Sequence, residues 1–244
     1  GRGTVALFAD TFTLYSEPAI GRAAVELLEQ LGYTVLLPAV GCCGRPMISK
    51  GLLRQAARAA ARNVAALWPL AQAGVPIVGL EPSCILTFRD EVPDLVPGEA
   101  ARALAHHTLL IDEFLAREHR RAPLPFGADR RGPALLHGHC HQRALTGTAA
   151  AREVLQAAGF AVEEIDSGCC GMAGSFGFER EHYALSMAVG ERRLLPAVRA
   201  LPVSTPVVAM GVSCRQQIRH GAARQPLHLV ELLRGTTTGD GRGH

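Results

Sequence analysis

Gly41-Cys42-Cys43-Gly44 and Gly168-Cys169-Cys170-Gly171 are the same four residues written twice. Each copy is followed some forty residues later by Ser-Cys, at Ser83-Cys84 and at Ser213-Cys214. Vicinal cysteines in two matched contexts are poor candidates for core filler, and a cluster of thiolates is a soft-metal or redox site. The match runs outward from the cysteines. Val25-Glu26-Leu27-Leu28-Glu29-Gln30-Leu31-Gly32-Tyr33 parallels Arg152-Glu153-Val154-Leu155-Gln156-Ala157-Ala158-Gly159-Phe160 at an offset of 127, which also superimposes the Cys-Cys-Gly runs. Pro76–Cys84 parallels Pro206–Cys214 at an offset of 130. A period this long is a domain duplication rather than a solenoid.

The halves differ where they begin. Leu135-Leu136-His137-Gly138-His139-Cys140-His141 carries a cysteine, whereas Leu7-Phe8-Ala9-Asp10-Thr11-Phe12-Thr13 carries none. The second half therefore has Cys140, Cys169, Cys170 and Cys214, and the first only Cys42, Cys43 and Cys84. Four thiolates close a metal site by themselves; three do not.

Short apolar runs alternate with long amphipathic segments in both halves. Val5–Phe8, Thr34–Leu37, Pro76–Leu80, Ala134–Leu136, Ala161–Ile165 and Pro206–Met210 are expected as strands. Pro18–Gln30, Leu52–Ala73, Thr148–Ala158 and Glu179–Leu195 have helical spacing of Leu, Val and Ala, with Arg215–His220 a further helical stretch. Gly32 and Gly159 stand where a left-handed helix cap is expected. Strand–helix alternation implies an α/β fold of two pseudo-symmetric halves, each a small parallel sheet flanked by helices. The expected units are a degenerate three-cysteine repeat at 1–122 and a four-cysteine repeat at 132–235, joined through Arg120–Pro133, with a disordered tail at 236–244. Each cysteine then falls in a loop past the carboxyl end of a strand, where an open parallel sheet builds its binding crevice.

At 244 residues and 48% hydrophobic there is material for two cores, and 5% aromatic makes them aliphatic. The net charge of +3 comes from 24 Arg and the single Lys50, without a dense basic run, so no nucleic-acid partner is expected. No stretch reaches the roughly 18 apolar residues of a membrane span. Seven cysteines is an odd number and vicinal pairs make awkward disulfides, so reduced thiols in a cytoplasmic setting fit best, with peripheral attachment to an inner membrane as the variant. The chain opens Gly1-Arg2-Gly3, which we read as a piece of a longer polypeptide with the missing part upstream.

Other motifs are weaker. His139 and His141, beside Cys140, are either ligands, proton shuttles or groups that tune the sulfurs from outside. Gly171-Met172-Ala173-Gly174-Ser175-Phe176-Gly177 is spaced G-x-x-G-x-x-G rather than G-x-G-x-x-G, which argues against a dinucleotide. Glu17, Glu81, Asp166, Glu179 and Glu181 form no paired-carboxylate pattern, and there is no serine-hydrolase elbow.

Cys140, then Cys169-Cys170-Gly171, then Ser213-Cys214 resembles the CCG, or cysteine-rich, domain, which occurs twice in the B subunit of heterodisulfide reductase and in iron–sulfur subunits of glycolate, glycerol-3-phosphate and L-lactate oxidising complexes. Glu81-Pro82-Ser83-Cys84, His137–Gln142 and Ser167–Gly177 look like the C-terminal part of large bacterial FAD-linked oxidases. Such proteins join an FAD-binding dehydrogenase and a ferredoxin-like segment to this region and oxidise D-2-hydroxy acids such as D-lactate or D-2-hydroxyglutarate. The likeness covers residues 4 to 235. The family motif ends in Cys-x-x-Cys, whereas here Cys84-Ile85-Leu86-Thr87 and Cys214-Arg215-Gln216-Gln217 lack the last cysteine, so the five-cysteine cluster of heterodisulfide reductase does not transfer unchanged.

The resemblance implies an electron-transfer domain that carries a [4Fe–4S] cluster, with Zn²⁺ as the alternative, on Cys140, Cys169, Cys170 and Cys214, with His139 and His141 tuning from outside. Cys42, Cys43 and Cys84 would be a degenerate second site completed by a non-cysteine ligand. FAD would sit in the absent upstream part, the partners would be the FAD-binding and ferredoxin-like domains, and the fragment alone would not turn over a hydroxy acid. The rival expectations are a zinc-stabilised docking module and a vicinal-thiol disulfide reductase.

Overall fold

Gly3–Phe8 and Gly132–His137 head the two halves as strands β1 and β5, each a run of apolar residues whose last four side chains are buried. In the computed structural model, which describes residues 1–127 and 129–237, both halves repeat one plan. In the first, β1 is flanked by β2 (Tyr33–Leu36) and β3 (Ile77–Gly79), and β4 (Thr108–Leu110) closes the sheet in the order β2-β1-β3-β4. In the second, β5 is flanked by β6 (Phe160–Glu164) and β7 (Val207–Ala209), in the order β6-β5-β7. Every pairing between these strands is parallel. The fold is α/β, two small parallel sheets flanked by helices, as the strand–helix alternation implied.

The connecting helices follow from the sequence pattern. Pro18–Gln30 begins with Pro at its first position, where the missing N–H costs nothing, and buries Ile20, Ala23, Ala24, Leu27 and Leu28 on one stripe. Leu53–Gln72 buries Ala56, Ala59, Ala60, Asn63, Val64, Leu67 and Ala71 in the same manner. Gly32 and Gly159 both take positive φ, at 90° and 93°, and turn the chain from helix into strand.

The helix expected over 179–195 is broken. Two 3₁₀ turns, Phe176–Phe178 and Arg180–His182, precede a helix Tyr183–Glu191, and a second helix Leu194–Ala200 starts afresh. Pro196 explains the restart: inside a continuous helix its ring would meet the carbonyl four residues back, whereas in a first turn it does not. The helix expected at 215–220 starts earlier, at Val212, and runs to Ala222, so Cys214 lies within its first turn.

The halves interlock. Helix Ile111–Arg121, which follows β4, packs on Ala149–Ala157 of the second half, while Leu229–Arg234 packs on Pro18–Gln30 of the first. The exchange is reciprocal. Leu227 pairs with Val208 beside β7 just as β4 pairs beside β3, and each is followed by the helix that crosses over. Glu113 accepts from Leu110 N–H at 3.0 Å and Glu231 from His228 N–H at 2.7 Å, so the crossing helices begin with the same carboxylate clasp. One apolar cluster consequently runs through both halves, from Leu7, Leu27 and Phe114 to Leu136, Leu155 and Leu233. A smaller cluster around Leu194, Leu195, Val198 and Ile218 belongs to the second half alone.

Of the tail expected at 236–244, Thr236 and Thr237 are placed, and the rest lies outside the described residues. Thr236 is buried and its carbonyl accepts from Gly127 N–H at 2.6 Å, while Thr237 bridges Phe126. No helix among the described residues is long and apolar enough to cross a membrane.

Candidate metal centre

The cysteines sit at the carboxyl ends of the strands, the end at which parallel sheets gather their ligands. Past β2 comes the pair Cys42-Cys43, and past β6 the pair Cys169-Cys170. Cys84 lies in the short helix Pro82–Ile85 past β3, and Cys214 in Val212–Ala222 past β7. Cys140 opens helix Cys140–Leu145, past β5.

A tight turn aims each vicinal pair. Gly44 and Gly171 follow the pairs with φ of 93° and 100°, a left-handed conformation that favours glycine. At Gly171 a side chain is also excluded by space, since a Cβ would stand 2.1 Å from the Ser186 carbonyl oxygen. Each turn points backbone N–H groups at sulfur: Arg45 N–H to Cys43 Sγ at 3.5 Å and Gly171 N–H to Cys169 Sγ at 3.2 Å. Asn63, buried in its helix, clamps the first turn by accepting from Gly41 N–H at 2.8 Å and donating to the Cys42 carbonyl at 3.0 Å.

The thiols of each half perturb one another's ionisation: Cys42 with Cys43 and Cys43 with Cys84 in the first, Cys169 with Cys170 and Cys170 with Cys214 in the second. Cys140, the fourth predicted ligand, stands apart from that group. It is exposed, close enough to Cys169 for the two to interact electrostatically, with its Sγ 3.8 Å from His141 Nδ1. All seven cysteines are free thiols.

Crowding sets the ionisation. The Cys43 thiol and burial push Cys42 up, and Cys170 and burial do the same to Cys169. Cys42 draws Cys43 down, but Cys84 and burial more than reverse it; Cys170 stands likewise between Cys169 and Cys214. Burial, then Cys169, raises Cys140. Thiols held protonated by one another are poor nucleophiles and become ligands only when a cation displaces their protons.

The histidines have distinct places. His139 is buried and caps helix Cys140–Leu145, its Nδ1 accepting from His141 N–H at 3.2 Å. Burial pulls its pKa down to about 3, so the ring is neutral. Its Nε2 is 3.8 Å from Glu81 Oε1. His141 is half-buried against Arg45, and ligand atoms of His139, Cys140 and His141 lie within 4.8 Å of one another. This is the compact group of potential metal donors among the described residues. His137 Nδ1 bonds Ser167 Oγ at 2.8 Å behind the Cys169 turn, and its Nε2 is buried without a partner.

Glu81 is the residue that sequence reasoning undervalued. Its Oε1 accepts from Ser83 Oγ at 2.8 Å beside Cys84. Its Oε2 reaches into the other half and accepts from Val212 N–H at 2.8 Å, at the start of the helix that carries Cys214. One carboxylate thus caps both cysteine-bearing helices. Burial raises its pKa to about 7. The corresponding position in the second half is Gly211, where a Cβ would lie 2.1 Å from His139 Cδ2. The sequence clue was Glu81-Pro82, an acidic cap followed by Pro at the first helical position. Of the other carboxylates weighed, Glu17 pairs with Arg215 and Arg219 across the halves, Asp166 with Arg193, and Glu179 with Lys50. Glu181 is exposed in a 3₁₀ turn, away from this cluster.

The seam between the halves is closed: the space among Thr13, Glu17, Leu80, Glu81, Met210 and Arg215 amounts to about 10 Å³, room for one water at most. Beside Cys169 there is more, a cavity of about 170 Å³ bounded by Ser167, Gly168, Arg192, Arg193 and Leu194.

The cysteine-rich domain family designated CCG matches the chain twice, over residues 9–89 and 134–219. Over 237 residues the chain is 31% identical to a D-2-hydroxyglutarate dehydrogenase of Pantoea ananatis (strain AJ13355), covering 94% of this chain and 22% of that protein. It is 29% identical to one of the subunits of the anaerobic glycerol-3-phosphate dehydrogenase of Escherichia coli (strain K12), covering 94% of the chain and 58% of the relative. Lactate utilization protein A of Macrococcus caseolyticus (strain JCSC5402) is 31% identical over 94% of the chain and 95% of its own length. The chain thus spans about a fifth of the D-2-hydroxyglutarate dehydrogenase, over half of the glycerol-3-phosphate dehydrogenase subunit and nearly all of the lactate utilization protein. Two matches that lie over the two thiol-bearing sheets, together with the paired Cys-Cys-Gly turns, make this chain a member of the CCG cysteine-rich domain family.

Proposed function

We propose that this chain is the thiolate-bearing electron-transfer part of a flavin-dependent oxidoreductase that acts on a 2-hydroxy acid of the D-lactate, D-2-hydroxyglutarate or glycolate type. The observation that carries the reading is the placement of Cys140, Cys169, Cys170 and Cys214 past the carboxyl ends of three neighbouring parallel strands, with Cys140 exposed at the edge. The names of the relatives support the substrate class. FAD would lie in an upstream domain, and that domain and a ferredoxin-like one would be the partners, in the cytoplasm or at the inner face of a membrane.

The donor set fits the group it would hold. Four cysteines at three strand ends are a thiolate set for a [4Fe–4S] cluster. Such a cluster, when bound, supplies one-electron transfer. This chain's residues do the rest. Cys140, Cys169, Cys170 and Cys214 would bind it, and Gly171 N–H, at 3.2 Å from Cys169 Sγ, would withdraw charge from that sulfur. His137 with Ser167, and Arg143 on the Ser167 carbonyl, hold the turn that carries Cys169. His139, neutral and buried, sets the position of Cys140 by capping its helix.

The compact His139–Cys140–His141 group favours zinc as the second reading, a structural centre at this edge. The disulfide-reductase reading has less support, because these thiols are raised in pKa, the opposite of an activated nucleophile. Electron paramagnetic resonance on dithionite-reduced protein, purified without oxygen, decides between them. The electron-transfer reading expects a signal that disappears in Cys169→Ala; a silent protein that retains zinc in wild type overturns it.

A further inference from the structure

The two vicinal turns are packed by unlike helices. At the 127-residue offset of the turns, Asn63 of the first half corresponds to Gly190 of the second. Both lie against their turn: Asn63 Oδ1 accepts from Gly41 N–H at 2.8 Å, and a Cβ at Gly190 would stand 3.1 Å from the Cys170 carbonyl oxygen. Beyond this contact the halves part. Helix Leu53–Gln72 continues unbroken, with Ala65 and Ala66 exposed on its surface. In the second half the helix stops at Glu191 and a new one starts at Leu194. The two residues of the break, at the places of Ala65 and Ala66, are Arg192 and Arg193. This break and the turn Ser167-Gly168-Cys169 together line the cavity of about 170 Å³ beside Cys169.

The geometry points to a binding site for a small carboxylate in this cavity, held by the guanidinium groups of Arg192 and Arg193 beside Cys169. The residues that line it include no acid. Arg193 is partly engaged, donating to the Asp166 carbonyl at 3.2 Å and to the Asp166 carboxylate. The Arg192 side chain has no hydrogen bond or ion pair among the described residues. A guanidinium presents its donors as a planar fork that matches a carboxylate two bonds at a time. Gly168 leaves the backbone of the turn uncovered, since a Cβ there would meet nothing within 4 Å. Val189 and Leu194 add apolar surface for a short carbon chain, which phosphate or chloride would not use. At roughly 30 Å³ per water, a space of about 170 Å³ holds about five or six waters, the size of a two- or three-carbon hydroxy or oxo acid. The site goes beyond the electron-transfer reading and stands whether Cys169 binds iron or zinc. Where that reading holds, an anion beside Cys169 and an added electron oppose each other by the same factor in both directions.

The test is saturation-transfer NMR of D-lactate titrated against the full chain, purified without oxygen. D-lactate should saturate with a dissociation constant on the order of 1 mM, the range open to a ligand of this size. Arg192→Gln should weaken binding about tenfold, and Arg192→Gln with Arg193→Gln should abolish it. Asp166→Asn, which frees the second guanidinium, should tighten it about threefold. All three positions are exposed, so these variants leave the core intact. Lactamide, which has the shape without the charge, should not compete. The α-amide of N-acetylglutamate separates the two sources of a carboxylate: tighter binding than D-lactate marks an acidic side chain of a partner protein, weaker binding a free acid. Absence of saturation overturns the proposal, and so does an unchanged affinity in Arg192→Gln or equal displacement by lactamide or chloride. Metal content measured on the same samples registers failure of the electron-transfer reading separately.

Discussion

The two halves share a frame and differ at its corners. Both have three parallel strands in the same order, a glycine-terminated vicinal cysteine turn and a cysteine in the first turn of the next helix. Counted from β1 and β5, Thr11 stands where the second half has Cys140 and Asp10 where it has His139, while Glu81 stands in the position of Gly211. Duplication preserved the backbone that aims the thiols and let the groups around them diverge. The differences also compensate: His139 fills the space at Gly211, and Glu81 from the other half supplies the cap that Gly211 cannot. The halves share one apolar core and differ in the groups around their thiols.

The largest expected effect separates the two turns. Gly171→Ala places a Cβ against the Ser186 carbonyl in a left-handed backbone and should cost on the order of 4 kcal/mol, with loss of the second-half metal. Gly44→Ala meets nothing closer than 3.4 Å and bears conformational strain alone, about 1 kcal/mol. Equal costs in denaturant titrations would show that the turns are not built as described.

Next comes the interlock. Leu115 and Leu233 are fully buried in the two crossing helices, and replacing either by Ala should cost about 3 kcal/mol. Each variant should shift one common unfolding transition. A biphasic melt, with only one half displaced, would break the picture of a shared core.

Glu81→Gln probes the asymmetry through pH. Burial raises the folded-state pKa of Glu81 from 4.5 to about 7, so the group favours folding at acid pH and that contribution is lost as pH rises through about 7. Relative to wild type, Glu81→Gln should gain stability between pH 4.5 and pH 8, by on the order of 3 kcal/mol, while a Gln carbonyl keeps one of the two caps. Parallel pH profiles for the two proteins would contradict the burial of a charge at this bridge.

Much of this was legible in the chain. The six strands expected from apolar runs are found within one or two residues at each end; in the central strands β1, β3, β5 and β7 this is because buried parallel strands carry contiguous Val, Leu and Ala. The left-handed caps at Gly32 and Gly159 and the placement of the cysteines past strand ends were visible for similar reasons: local sequence determines a turn, and strand order determines which loops share an end of the sheet. What was hidden is relational. β4 is three residues, Thr108–Leu110, pressed between two helices, too short for a periodic signal. An amphipathic stripe on Ile111–Arg121 says that the helix packs, not that it packs on the other half. The correspondence of Thr11 with Cys140 was hidden because loop lengths drift between the halves, so an alignment anchored on the cysteine pairs sets Cys140 opposite Thr13.

The central claim is that the four second-half cysteines hold an iron–sulfur centre. Iron, zinc and acid-labile sulfide analysis with a visible spectrum, on protein purified without oxygen, tests it most directly. The account predicts about four irons and four sulfides at that site, with a broad brown absorption that Cys169→Ala abolishes and Cys42→Ala leaves in place. Colourless protein with zinc and no iron, or protein with no metal at all, would contradict it.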